Sequence, residues 1–167
     1  MDIVLKQLDE HDIRALLNSK DHWQGLRLAD DAVPPKHVFE RSLNLTNDGV
    51  ESIWSMPYLM VDKCTDMVVG CCGFKAAPVS GVVEVGYNVS SAIRGKGIAT
   101  LALKLLSARA FESTQVMTVE ALILSENIPS LRVVSKCGFE YIHVIPDGDN
   151  VGLECWQLTK DNGFSIL

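Results

Sequence analysis

No apolar run in this 167-residue chain is long enough to cross a membrane. The best stretch, Ile98 to Phe111, is interrupted by Lys104, and a spanning helix needs about 20 apolar residues. Met1 to Asp12 is charged and lacks the apolar core of a secretory leader, so the expectation is a cytoplasmic protein with no membrane partner. Metal-ligand spacing is also lacking. Cys71 and Cys72 are adjacent, Cys64, Cys137 and Cys155 are scattered, and His11, His22, His37 and His143 are dispersed. That pattern predicts no metal, and reduced, buried cysteines. Basic residues are in deficit, with 15 Lys and Arg against 21 Asp and Glu. The balance argues against a nucleic-acid surface and favours a cationic substrate.

What is present is a core-forming composition, 47% hydrophobic, at a length expected of a single domain over residues 1–167. Alternation predicts strands at Ile3 to Leu8, Trp54 to Val61, Val68 to Lys75, Val82 to Val89, Val116 to Leu124, Tyr141 to Ile145 and Val151 to Leu158. Helical spacing predicts helices from Glu10, after Pro34-Pro35, from Ile98 to Phe111 and from Ser130 to Cys137. In the long helix Ile98, Leu101, Ala102, Leu105 and Leu106 form the apolar stripe, with Lys104 and Ser107 toward water. Asp21 to Val33 has no clear period.

The most informative stretch lies between the fourth predicted strand and the long helix. Arg94-Gly95-Lys96-Gly97-Ile98-Ala99-Thr100 is a glycine-rich turn entering a helix, which leaves backbone N–H groups unpaired at the positive end of the helix dipole. Such a turn holds an anion. Glycine lets a phosphate approach the backbone closely, and Arg94 and Lys96 add positive charge. A P-loop is excluded, because Gly97 follows Lys96 where Ser or Thr should bind magnesium. The dinucleotide fingerprint fails as well: Thr100 stands at the third glycine, and short turns at Asp62 to Asp66 and Val79 to Gly81 predict antiparallel neighbours.

These residues resemble the GNAT superfamily of N-acetyltransferases. Arg94, Gly97 and Ala99 fill its acetyl-coenzyme A signature, and Asn127-Ile128-Pro129-Ser130 followed by Gly138-Phe139 stands at the spacing of its second block. The branch most similar is the ribosomal-protein N-terminal (RimJ/RimL-like) type. The resemblance implies an α/β fold with a mixed, mostly antiparallel sheet of six to seven strands, about four helices, and a fourth strand splayed from the fifth near Asn88-Val89. It further implies acetyl-coenzyme A as cofactor, held by Asn88, Val89, Arg94, Gly95, Lys96, Gly97, Ile98, Ala99, Thr100, Asn127 and Ser130, with the Val89 N–H polarising the thioester carbonyl. The acceptor is an amine: a peptide or protein N-terminus first, a polyamine or aminoglycoside second. A homodimer is left open.

Glu84 shares a strand face with Asn88 and is the first candidate for general base, or else an ion-pair partner. Glu120 is the second. Val134 occupies the position where many relatives place a tyrosine acid, which turns attention to Ser130, or to an Ser130 that only satisfies a helix N–H beside the cap Asn127. Tyr87 is an alternative acid or a channel wall. Trp23, Asp21, Asp30 and Asp31 lie where the family shapes its acceptor pocket, and could attract an amine or remain solvated. A non-catalytic acyl-coenzyme A sensor is the alternative function, since the cradle serves either.

Overall fold

The computed structural model describes residues 2–18, 22–147 and 150–163. Strand β1 (Ile3–Gln7) leads into helix α1 (Glu10–Asn18), and a two-stranded flap, β2 (His22–Trp23) and β3 (Leu26–Leu28), precedes helix α2 (Lys36–Asn47). After the helical turn α3 (Ser52–Ser55) come strands β4 (Tyr58–Asp62), β5 (Met67–Phe74) and β6 (Val82–Val89), then helix α4 (Ile98–Glu112). Strand β7 (Thr118–Leu124), helix α5 (Ile128–Lys136), strands β8 (Glu140–Asp147) and β9 (Asn150–Thr159), and α6 (Lys160–Gly163) complete the order.

Local chemistry explains the helix starts. Asp9 and Asp12 cap α1 reciprocally, the Asp12 N–H donating to Asp9 Oδ1 at 2.8 Å and the Asp9 N–H to Asp12 Oδ2 at 3.1 Å. Asn127 caps α5 by accepting the Ser130 N–H, and Gly138, at φ 79°, ends that helix. Two short elements escaped the periodicity. Ser52–Ser55 is helical where alternation predicts a strand from Trp54, and β4 begins only after Pro57. The aperiodic segment before Val33 holds the β2–β3 flap, with Asp21 outside the described residues. The sheet therefore has nine strands and six α-helices among the described residues, more than expected, and the additions are too short to show a period.

The main strand order is β1-β4-β5-β6-β7-β9-β8. Along it only β6 and β7 run parallel, and they pair over Val82–Glu84 and Thr118–Glu120 alone. Beyond Glu84 the two strands part, so the implied splay is present and begins earlier than Asn88. The Lys75 N–H donates to Glu84 O, and the Ser90 N–H to Val69 O. Alternation of that ladder turns the N–H groups of Tyr87 and Val89 toward the gap left by β7.

Each sheet face carries a core. Ile13, Leu16 and Phe39 of α1 and α2 pack with Leu59, Val61 and Val68 on one side. On the other, α4 buries Ile98, Ala102, Leu103, Leu106 and Ala110 against Met60, Val83 and Val119. Leu101 and Leu105 are exposed and Ser107 is buried, reversing three assignments in the predicted stripe because α4 also meets α5 and β1. Cys64 is exposed; the other four cysteines are buried. No helix among the described residues is long and apolar enough to cross a membrane.

Candidate functional site

The splay opens a cavity of about 420 Å³ between the end of β6, the turn into α4, and α5. Gly95 (φ 81°) and Gly97 (φ 79°) take left-handed conformations there, which L side chains adopt at a cost. A Cβ at either glycine would meet nothing within 4 Å. Backbone conformation, not crowding within the protein, is thus what requires glycine, and the open space above the turn remains free for a ligand. Gly97 caps α4 without a side-chain bond, leaving first-turn N–H groups for an anion. Arg94, Lys96, Arg132 and Lys136 line the cavity and, among the described residues, no Asp or Glu does. Arg132 and Lys136, one turn apart on α5, were not identified from sequence, because nothing local says which face of α5 meets the α4 turn.

Arg94 is turned inward. Its Nε donates to Val89 O at 3.0 Å and its Nη2 to Asn88 Oδ1 at 3.5 Å, bracing the end of β6. Asn88 Nδ2 donates to Asp31 O at 2.7 Å, and the Ser91 N–H to Asp31 Oδ1 at 3.0 Å. That backbone hydrogen bond holds the Asp31 carboxyl below its usual range. Asp31 therefore locks the flap loop to the β6 corner. Trp23, likewise, is buried and donates to Asp12. Among the described residues Asp9, His11 and Asp12 are close enough to share a metal ion, but both aspartates already serve the α1 cap, and Asp12 also accepts from Trp23 and Gln24.

Asn127 Oδ1 is committed to the cap of α5 at 3.3 Å from the Ser130 N–H. The Tyr87 hydroxyl donates to the Ser130 carbonyl at 3.2 Å, and burial pushes its pKa up to about 12. Val134 is fully buried in the core.

A second cavity, about 360 Å³, lies between α2 and the face of β5 and β6. It shares Tyr87 and Asn88 with the first. Its floor is the cross-strand pair Gly73 and Gly86, followed in register by Cys71 with Asn88 on one side and Lys75 with Glu84 on the other. The structure does not bring the two candidate bases onto either cavity wall. Glu84 is ion-paired with Lys75. Its four-residue offset from Asn88 is roughly 13 Å along the strand. Glu120 accepts from Gln157 Nε2 at 2.7 Å and from the Cys155 thiol at 3.2 Å. Among the described residues no acid stands on either wall, so the acidic net charge does not localise to them.

A family model described as an acetyltransferase (GNAT) domain matches residues 2–140. An uncharacterized N-acetyltransferase, p20, of Bacillus licheniformis is 32% identical over 84 residues, 50% of this chain and 47% of that protein. The probable N-acetyltransferase YjcK of Bacillus subtilis is 38% identical over 55 residues, 33% of this chain and 30% of its own. The chain thus matches under half the length of these relatives. Among solved structures, the spermidine N-acetyltransferase of Vibrio cholerae with CoA and spermine superposes with a TM-score of 0.68 at 12% identity, covering 97% of this chain and 98% of that one. The aminoglycoside acetyltransferase AAC(6')-Ib with coenzyme A gives 0.67 at 18% identity, covering 98% of each chain. At such identities the likeness is one of fold.

Proposed function

The chain belongs to the acetyltransferase (GNAT) domain family, and from that premise we propose that it is an N-acetyltransferase that moves the acetyl group of acetyl-coenzyme A onto a primary amine. A peptide or protein N-terminal amine is the first-choice acceptor and a polyamine or aminoglycoside the second, within the RimJ/RimL-like branch and as a single domain. Asn127 and Ser130 in the family spacing, with Val134 at the tyrosine position, support that branch.

The observation that carries the reading is the meeting of two cavities at Tyr87 and Asn88, where β6 leaves β7. One is cationic and glycine-lined, which fits a phosphate-bearing cofactor; the other gives an acceptor its own entrance. When bound, the cofactor supplies an activated acetyl thioester. The turn Arg94 to Thr100 would hold its phosphates with Lys96, Arg132 and Lys136, and the Val89 N–H, on the open edge, would orient the acyl carbonyl. Proximity across the shared wall lets the amine attack directly. Glu84 receives the amine proton through water across Gly86, which puts no side chain in the way; Glu120 is the reserve. Ser130, on the wall of the first cavity, would supply the proton that the thiol product needs.

Calorimetric titration with acetyl-coenzyme A, followed by thiol release across N-terminal peptides, polyamines and aminoglycosides, tests the proposal. Binding with amine-dependent release is expected. Binding with release by no amine replaces it with an acyl-coenzyme A sensor, and no binding removes the cradle reading.

A further inference from the structure

We infer that the second cavity is built for an amine that also carries a carboxylate, and that Arg41 is the residue that recognises it. The inference rests on the acetyltransferase reading and names the acceptor class for that same site.

Acids outnumber bases in the chain, 21 to 15, yet among the described residues this wall carries Arg41 and Lys75, both cationic, with His37 beside them and no Asp or Glu. Lys75 is held by Glu84, so its charge is largely answered. Arg41 is different. Its side chain belongs to a half-buried residue, and it has no hydrogen-bond or ion-pair partner among the described residues. The adjacent Glu40 pairs instead with Lys36 at 3.1 Å on the exposed side of α2. A cation partly removed from water and left unpaired favours an arriving anion. The planar guanidinium fork suits a carboxylate, which it can hold by two parallel hydrogen bonds. His37 lies one turn before Arg41 and lines the same cavity.

Gly73 and Gly86 leave the floor between this wall and Asn88 bare. At Gly86 an added Cβ would meet only Lys75 Cε, at 3.6 Å, so the backbone tolerates a side chain there. A carboxylate can then rest on Arg41 while the amine of the same molecule reaches Asn88. Spermidine and aminoglycosides bring the wrong sign of charge to this wall. The shared chemistry is an amine with a nearby carboxylate, in a free amino acid or in a peptide whose first residues are acidic.

The test uses the full chain with saturating acetyl-coenzyme A and measures thiol release with glutamate, a C-terminally amidated peptide beginning in Asp or Glu, its alanine counterpart, and spermidine. Preference for glutamate over the acidic peptide identifies the free amino acid; the reverse identifies the peptide. Either carboxylate-bearing acceptor should exceed the neutral peptide and spermidine in kcat/KM by roughly tenfold or more, a discrimination within reach of one partly buried charge pair. Arg41→Ala should raise KM for the preferred acceptor roughly tenfold with the acetyl-coenzyme A dissociation constant unchanged, and Arg41→Lys should recover part of the loss. Gly86→Ala should raise KM for every acceptor. The inference is overturned if spermidine is preferred, if Arg41→Ala leaves acceptor KM unaltered, or if bound acetyl-coenzyme A is consumed with none of these amines. Absence of acetyl-coenzyme A binding would show as a flat calorimetric trace and remove the acetyltransferase reading itself.

Discussion

The Tyr87 hydroxyl donates to the Ser130 carbonyl oxygen across 3.2 Å, joining β6 to α5 over the gap where β6 and β7 separate. A sheet that splays loses ladder hydrogen bonds at that point, and this side-chain bond ties β6 to α5 across the opening. Tyr87→Phe should therefore cost about 1 kcal/mol of stability, the usual worth of one such bond. It should also weaken acetyl-coenzyme A binding several-fold, since α5 carries Arg132 and Lys136. With its pKa at about 12, Tyr87 stays protonated at ordinary pH, so the variant's pH–rate profile should keep its shape. A lost basic limb would instead make Tyr87 the acid for the leaving thiolate.

Gly97 and Gly86 separate the two cavities experimentally. Gly97 sits at φ 79° at the start of α4, and a side chain there costs about 1–2 kcal/mol for the left-handed conformation. Relief of that strain would reorient the amides that face the anion. Gly97→Ala should raise the KM for acetyl-coenzyme A with little change in acceptor KM, the opposite of Gly86→Ala. Steady-state kinetics with each substrate varied in turn checks this, and identical behaviour of the two variants would mean the cavities do not take different substrates.

Glu84 is both the proposed proton acceptor and the partner of Lys75. Glu84→Gln keeps the shape but drops the charge, so turnover should fall by about tenfold or more. The acidic limb of the profile should move toward the acceptor's own pKa, about 7.7 to 8 for an α-amine. Because the change also frees the Lys75 ammonium beside the acceptor cavity, KM for a carboxylate-bearing acceptor should drop. Unchanged turnover removes Glu84 from the mechanism.

How far the sequence reaches is visible in these same residues. The cradle was legible because its glycines, cations and helix start are contiguous, so local backbone chemistry suffices. The splay and cofactor followed from family spacing. Arg41 was not legible, since its meaning depends on α2 packing over β5 and β6, contacts distant in sequence. Glu84 lies on the Asn88 face as alternation predicts, but its capture by Lys75 needed the ladder register. Asp31, expected as solvated or amine-attracting, proved to be a brace for Ser91, a hydrogen bond spanning sixty positions.

Four buried thiols should make the fold sensitive to alkali. Burial pushes Cys71 up to about 12 and Cys137 up to about 11 from an ordinary 9.0, and burial with the Glu120 carboxylate raises Cys155 to about 12. Burial raises Cys72 as well. In the unfolded chain these thiols release protons near pH 8.5, before the folded protein does. The unfolded state then binds fewer protons, so stability is complete below that pH and declines as pH climbs toward 11 to 12. Thermal melts in reductant should show a melting temperature that is level through neutral pH and falls steadily above about pH 9. In parallel, an aromatic disulfide reagent should modify Cys64 in the native protein and all five cysteines after unfolding. A melting temperature flat to pH 10.5, or rapid native modification of Cys71 in the core beneath α1 and α2 or of Cys72 in the core beneath α4, would show that these thiols are open to solvent in the folded protein.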